Sequence, residues 1–433
     1  MLPPFEIVHR SRLVALVVAG SDLEQPVAPY RAVEAMVTGP GRTELTLTSG
    51  DDTLVARHDE RGASLEVTAG GTTTTHRSRR HGRPEGTVAG VALSLTGPLL
   101  VVLTHEDGAW RARGRVELTE RVATHDEKWL AGLESSATGP VTEVRSGRFG
   151  QVGLRDLRLV THADGTAYRE GGDVLLTASS AGPGHFAAGH TSVWRLDPDS
   201  LALTHRADLF FRRDGRHGRP GVYGDHASHL FRHDGTWRVA TSTWGDFDRK
   251  RDDASVEIAL AESDADLTTG AHVLDARPLA MPTTGLRSVG VWDPHLVLTP
   301  DGWLAGYVSA TRFFRFHPVV AEGPDLDSLR LRAAASDRQA TEGTTLQRLD
   351  GAWRVLASDG RDGRRGQRER YPVFDLDLVE TGTLDAPYPT NIPWPTLLEH
   401  DGGWLMIGFN GARYGGPLVG YGSHGDLVVA RTR

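Results

Sequence analysis

The sequence predicts an all-β protein: a five-bladed β-propeller preceded by an N-terminal β-sandwich. Three observations carry that expectation: a hairpin unit recurring five times beyond about residue 150, the near absence of helical periodicity there, and a different strand spacing before residue 125. Each unit is an apolar run, then Asp-Gly, then an aromatic and a second apolar run. The copies run from Asp156 to Asp164-Gly165 with Tyr168 after it, from His226 through Asp234-Gly235 and Trp237 to Ser242, and from Asp293 through Asp301-Gly302 and Trp303 to Tyr307. Two more run from Glu342 through Asp350-Gly351 and Trp353 to Ser358, and from Pro393 through Asp401-Gly402 and Trp404 to Phe409. Asp-Gly between apolar runs marks a hairpin, because a type I′ turn needs positive φ at both central residues. Five such hairpins give five blades, with outer strands in the stretches between.

Residues 1–125 read differently. Thr43–Thr48, Ser64–Thr68, Val88–Leu95, Leu99–Thr104 and Trp110–Leu118 alternate or run apolar between turns, as in an antiparallel sandwich. A sixth blade is the rival, since Leu100 to Trp110 carries the same hairpin around Asp107-Gly108. Residues 126–149 are expected as a linker holding one short turn or helix over Asp126–Leu133, and 150–433 as the propeller.

Composition narrows the function. With 433 residues, 39% hydrophobic and 24% charged, the chain can bury sizeable cores. Zero cysteines remove disulfides, thiolate zinc sites and cysteine nucleophiles together. A net charge of −8 argues against nucleic acid as a partner. The longest apolar stretch, Leu13–Ala19, is too short to span a bilayer; Met1-Leu-Pro-Pro lacks a basic region and Asp22 and Glu24 follow in place of a small-residue cleavage site, so no membrane partner and a cytoplasmic location are expected. There is no His-Glu-x-x-His, no Gly-x-Ser-x-Gly and no glycine-rich nucleotide loop in the required context.

Aligned on Asp-Gly, the hairpins place Asp156, His226, Asp293, Glu342 and Pro393 eight residues before the turn aspartate. The first strand of each propeller blade lines the central channel, so these positions converge at one face. Three carboxylates on one small ring repel, which raises at least one pKa, as a general acid near neutral pH requires. The competing reading has them capping turns or pairing with Arg155, Arg158 or Arg287.

The arrangement resembles the five-bladed propeller glycosidases, glycoside hydrolase family 43 (arabinofuranosidases, arabinanases and xylosidases) most of all, over residues 150–433. Trp292-Asp293-Pro294-His295 is similar to the blade-three motif whose aspartate tunes and orients the acid. Thr341-Glu342-Gly343-Thr344 resembles the general-acid segment, and Arg155-Asp156-Leu157 occupies the place of the general base. Leu157 and Thr344 stand where that family commonly has proline. The resemblance implies hydrolysis of pentofuranosyl, arabinofuranoside-like linkages, with Glu342 as acid, Asp156 as base, Asp293 supporting the acid, and inversion at the anomeric carbon. The partner is then an oligosaccharide or glycoside.

Sugars bind through aromatic faces and polar groups in a concave site. The candidates for substrate contact are Asp225, His226, Trp244, Trp292, His295, Asp359, Asn391 and Trp394, with the Phe313–Phe316 cluster, the Ser358–Gln367 loop and the segments Arg413–Gly416 and Gly420–Gly425 behind them. Trp237, Trp303, Trp353 and Trp404 read as packing between blades. No cofactor is required, and a structural Ca²⁺ in the channel is left open. The alternatives are a noncatalytic sugar-binding or scaffold propeller, and a lyase or retaining fructosidase-like enzyme on the same fold.

Overall fold

The computed structural model describes residues 2–21, 27–215, 218–419 and 425–433. Beyond residue 150 it forms five four-stranded antiparallel blades, with inner strands Leu154–Leu159, His226–His233, Gly290–Thr299, Thr341–Leu349 and Thr396–His400. The apolar runs after the turns fill the spaces between blades. Trp237 and Val239 pack with Leu175, Val193 and Phe211 between the first two blades. Trp303 and Tyr307 pack with Phe231 and Leu260 between the next two, and Trp353 leans on the following interface. Each such side chain, once buried, contributes about 1.5–3 kcal/mol.

Blade five is completed from the far end of the chain. Phe5–Ser11 pairs antiparallel with Asp426–Thr432, and Phe5 packs with Leu397, Met406 and Ala430. The first strand therefore lies outside the sandwich expected over 1–125. Residues 126–149 are likewise more than a linker. Asp126 caps the helix Glu127–Ala131, its carboxylate accepting the Trp129 N–H. Glu134–Thr138 then pairs with Thr43–Ser49, and Val141–Gln151 with Tyr30–Val37. Glu134–Thr138 is polar and exposed at alternate positions, and the first half of Val141–Gln151 is mostly exposed, so little apolar alternation betrays them.

The sandwich joins a five-stranded sheet, which includes Thr43–Ser49, to a six-stranded sheet. Thr43–Ser49 alternates between buried and half-buried positions, as a sheet with one face in water should. Leu99–Val102 is buried at every position because the six-stranded sheet is covered twice. Val102 and Leu93 face the sandwich interior, while Val101, Leu103 and Ala92 pack with Phe210 and Val222 of the propeller. The hairpin at Asp107-Gly108 belongs to this sheet, which removes the sixth-blade reading. No helix among the described residues is long and apolar enough to cross a membrane.

Most turns follow the Asp-Gly chemistry. Asp234, Asp350 and Asp401 have φ of +48°, +51° and +51°, each followed by a glycine of positive φ. Blade three departs: Thr299 pairs with Gly302, so the turn centres on Pro300-Asp301, with proline in its favoured second position. In blade one, Asp164-Gly165 lies in an excursion closed by the His162 N–H to Thr166 carbonyl bond, and the chain enters Asp173–Ser180 through Gly171-Gly172.

Candidate active site

Four inner strands break their ladders at one level. Pairing with the second strand skips between Arg155 and Arg158, His226 and His229, Trp292 and His295, and Glu342 and Thr345. Inside each break one residue is left-handed: Asp156 (φ +53°), Ala227 (+60°), Asp293 (+57°) and Gly343 (+76°). These four are equivalent. Glu342 and His226 stand one position earlier, with Arg155 and Trp292. The equivalence of Asp156, His226, Asp293, Glu342 and Pro393 is thereby corrected, and the cause is local. Blade three turns one residue early at Pro300, and blade one does not turn at its Asp-Gly, so counting from the aspartate slips by one. The carboxylates still meet, because a bulge re-aims adjacent side chains. Asp156, Asp293 and Glu342 line one cavity of about 160 Å³ at the mouth of the channel, with Arg155, Trp244, Trp292 and Asn391.

Local chemistry explains who sits where. Aspartate tolerates the left-handed region better than most residues. Gly343 is required twice over, since its φ is positive and a Cβ there would lie 2.5 Å from the Trp394 ring. Gly343→Ala is expected to cost about 1–3 kcal/mol of stability, read as a lower urea midpoint. An unchanged midpoint would show that the strand and Trp394 yield freely.

Arg155 ties two carboxyls together. Its Nε donates to Asp156 Oδ1 at 2.6 Å, and its Nη2 lies 3.7 Å from Glu342 Oε1. One guanidinium touching both holds the carboxyls within roughly 9 Å of each other. Burial pushes the Glu342 carboxyl up to about 7; Arg155 opposes the shift and Asp156 adds to it. The indole groups of Trp292 and Trp394 also favour its charged form, although the Trp394 N–H stands outside hydrogen-bond geometry. Asp293 is held well above the usual carboxylate range by burial, then by Glu342 and Asp156, against Arg158 and Arg155. Its Oδ2 accepts the Gly343 N–H at 3.4 Å, and its own N–H donates to Ser242 Oγ at 2.9 Å.

The other expected contacts divide. Trp244, Trp292, His226 and Asn391 line the cavity. His226 has no ring nitrogen left for a ligand. The Phe186 carbonyl, which can only accept, takes its Nε2–H at 3.1 Å, and Nδ1 accepts from Ser179. Burial lowers its pKa to about 4, so it stays neutral. Asn391 Oδ1 accepts the Arg361 N–H at 2.8 Å, which ties the Ser358–Gln367 loop to the rim. Trp394 is fully buried beneath, with the Arg158 guanidinium 4.8 Å above its ring centre.

Besides Trp394, three residues fall outside the lining. His295 lies two residues deeper on the channel face of its strand, stacked on His229 at 4.1 Å, its Nδ1 accepting the Leu346 N–H. Asp225 is buried in a two-pronged ion pair with Arg213 and accepts the Gly245 N–H. Asp359 is buried between Arg338 and Arg370 and accepts from Thr341. Arg413–Gly416 also turns away: the Tyr414 hydroxyl accepts the Trp110 N–H of the sandwich. Gly420–His424 lies outside the described residues.

Arg155 and Phe186, with Ala227 and Ile392, are lining residues that escaped the sequence reading. Arg155 entered it only as a pairing partner, although counting from the turn centres would have placed it level with Glu342. Phe186 comes from a short 3₁₀ turn, Phe186–Ala188, that carries no repeat signal. The channel left open for Ca²⁺ holds the buried Arg158 guanidinium, whose Nη1 donates to Thr345 Oγ1 at 2.9 Å. Among the described residues no group of three or more His, Asp or Glu side chains could hold a metal ion.

No family model matches the chain, and no curated protein does. Among solved structures it is similar to a glycoside hydrolase at 14% identity, over 65% of this chain and 91% of that one, with a TM-score of 0.46. It is also similar to a GH43_1 enzyme from Xanthomonas citri complexed with xylose, at 15% identity over 65% and 90%, TM-score 0.43. A family 117 glycoside hydrolase from Zobellia galactanivorans gives 11% over 65% and 84%, TM-score 0.46.

Proposed function

We propose that this chain is a glycoside hydrolase working by carboxylate acid–base catalysis on pentofuranosyl, arabinofuranoside-like linkages. One observation carries the reading. Glu342, with its pKa raised to about 7, shares the Arg155 guanidinium with Asp156 inside one small cavity. An ordinary carboxyl has lost its proton well below neutral pH and has nothing to give a leaving oxygen. Glu342 retains one. Asp156, ion-paired to Arg155, is the partner that acts on the anomeric carbon, directly or by taking a proton from water. A separation under roughly 9 Å lies within the range over which such pairs operate. Asp293 supports the proton on Glu342 and fixes the Gly343 backbone beside it.

The pentofuranosyl preference and the inverting course rest on the likeness of the Trp292–His295 and Thr341–Thr344 segments to family 43. A panel of aryl furanosides and pyranosides, with the first-formed product anomer followed by NMR, tests all three claims. An aryl arabinofuranoside should be cleaved with inversion. Retention would make Asp156 the nucleophile, and no cleavage of any member would overturn the hydrolase.

A further inference from the structure

The cavity lining is of two unlike kinds: the carboxylates with Arg155 and Asn391, and a wall of aromatic rings contributed by three blades. Phe186 stacks on Trp244 at 4.6 Å and 19°, and Phe247 closes edge-on behind them. Phe313 lies nearly parallel to Trp292, at 9° and 6.4 Å. Phe314 completes the wall from the tip of the hairpin between Gly302–Arg312 and Arg315–Gly323, with its ring 6.4 Å from that of Phe186.

Phe314 is anomalous in two independent ways. It is 50% exposed, the one exposed aromatic among the large exposed apolar side chains of the described residues. Its φ is +67°, a conformation that costs a bulky residue on the order of 1–3 kcal/mol and concentrates at ligand clamps. Glycine or asparagine would suit that turn better, and neither would leave an apolar ring in water. Packing does not account for the residue, whereas a ligand lying over the cavity does.

The wall's chemistry says which part of a ligand it takes. A sugar can lay the C–H face of its ring on such a wall, but the phenyl groups of Phe186, Phe313 and Phe314 offer no hydrogen-bond partner to fix its hydroxyls. A flat apolar group loses nothing there and gains area. We infer that the preferred substrate is a glycoside with an aromatic aglycone: the sugar faces Glu342 and Asp156, and the aglycone rests on the wall closed by Phe314. This inference rests on the hydrolase reading for the sugar end and on the wall alone for the aglycone.

The two parts separate in one experiment. Methyl, phenyl and 2-naphthyl 1-thio-α-L-arabinofuranosides, which resist hydrolysis, are titrated calorimetrically into the wild-type chain and Phe314→Asn. Naphthyl should bind about tenfold or more tighter than methyl in the wild type. Phe314→Asn should lose most of that ratio while keeping its thermal midpoint, because asparagine accepts the backbone. Equal affinity for methyl and naphthyl, or an unchanged ratio in Phe314→Asn, overturns the aromatic aglycone. Naphthyl preference without turnover of any aryl glycoside leaves the wall standing and removes the hydrolase.

Discussion

Glu342→Gln should lower turnover of glycosides with unactivated leaving groups by about 10²–10⁴-fold, the usual contribution of a positioned general acid. Aryl glycosides whose leaving group needs no proton should suffer far less, because only the protonation step is lost. The same substitution should change stability in the opposite sense. The folded Glu342 pKa is about 7, above its unfolded value. The stabilisation from the bound proton is therefore complete below the ordinary glutamate range and fades as pH rises toward 7 and beyond. Glutamine stays neutral throughout and loses nothing over that window. At pH 8 the variant should be more stable by up to about 3 kcal/mol, with little difference at pH 4. Urea unfolding at the two pH values, beside kinetics on the two substrate kinds, checks both halves. Equal kinetic loss on both kinds with no gain in stability would make Glu342 a structural residue.

What the sequence disclosed and what it hid have separate physical causes. The blades were legible because type I′ turns demand Asp-Gly and because inter-blade packing demands an aromatic just beyond, as at Trp237 and Trp303. Strands without those demands stayed hidden: Glu134–Thr138 and Phe5–Ser11 are mostly exposed or half-buried, so their pairing leaves little trace in composition. The three carboxylates were legible as a group, but their equivalence was not. Pro300 moved one turn by a residue, and a bulge, invisible to pattern, brought both registers into one cavity. Depth was also hidden: His295 carries the right chemistry and faces the channel, yet strand rise takes it below the site. Arg155 and Phe186 show the converse, since a neighbour's charge and a loop's reach appear only once the chain is folded.

Asp293→Asn should move the basic limb of the pH–rate profile to lower pH. Three carboxyls, Asp156, Asp293 and Glu342, face two guanidiniums, Arg155 and Arg158, in the buried cluster. Fully ionised, the cluster carries one uncompensated negative charge, so one proton is retained near neutrality and is shared chiefly between Asp293 and Glu342, the two groups pushed upward. Asparagine keeps the shape of Asp293 and removes its charge. The two arginines then match the two remaining carboxylates, and only burial and Asp156 are left to hold the proton on Glu342. Its pKa should drop from about 7 toward the ordinary range, and the alkaline limb, which follows loss of the acid's proton, should drop with it. Activity at neutral pH falls while activity at lower pH is better preserved. A limb that stays in place would mean that Asp293 is already neutral whenever Glu342 ionises. The raised pKa of the acid would then belong to burial and Asp156, and Asp293 would be left with holding the Gly343 amide.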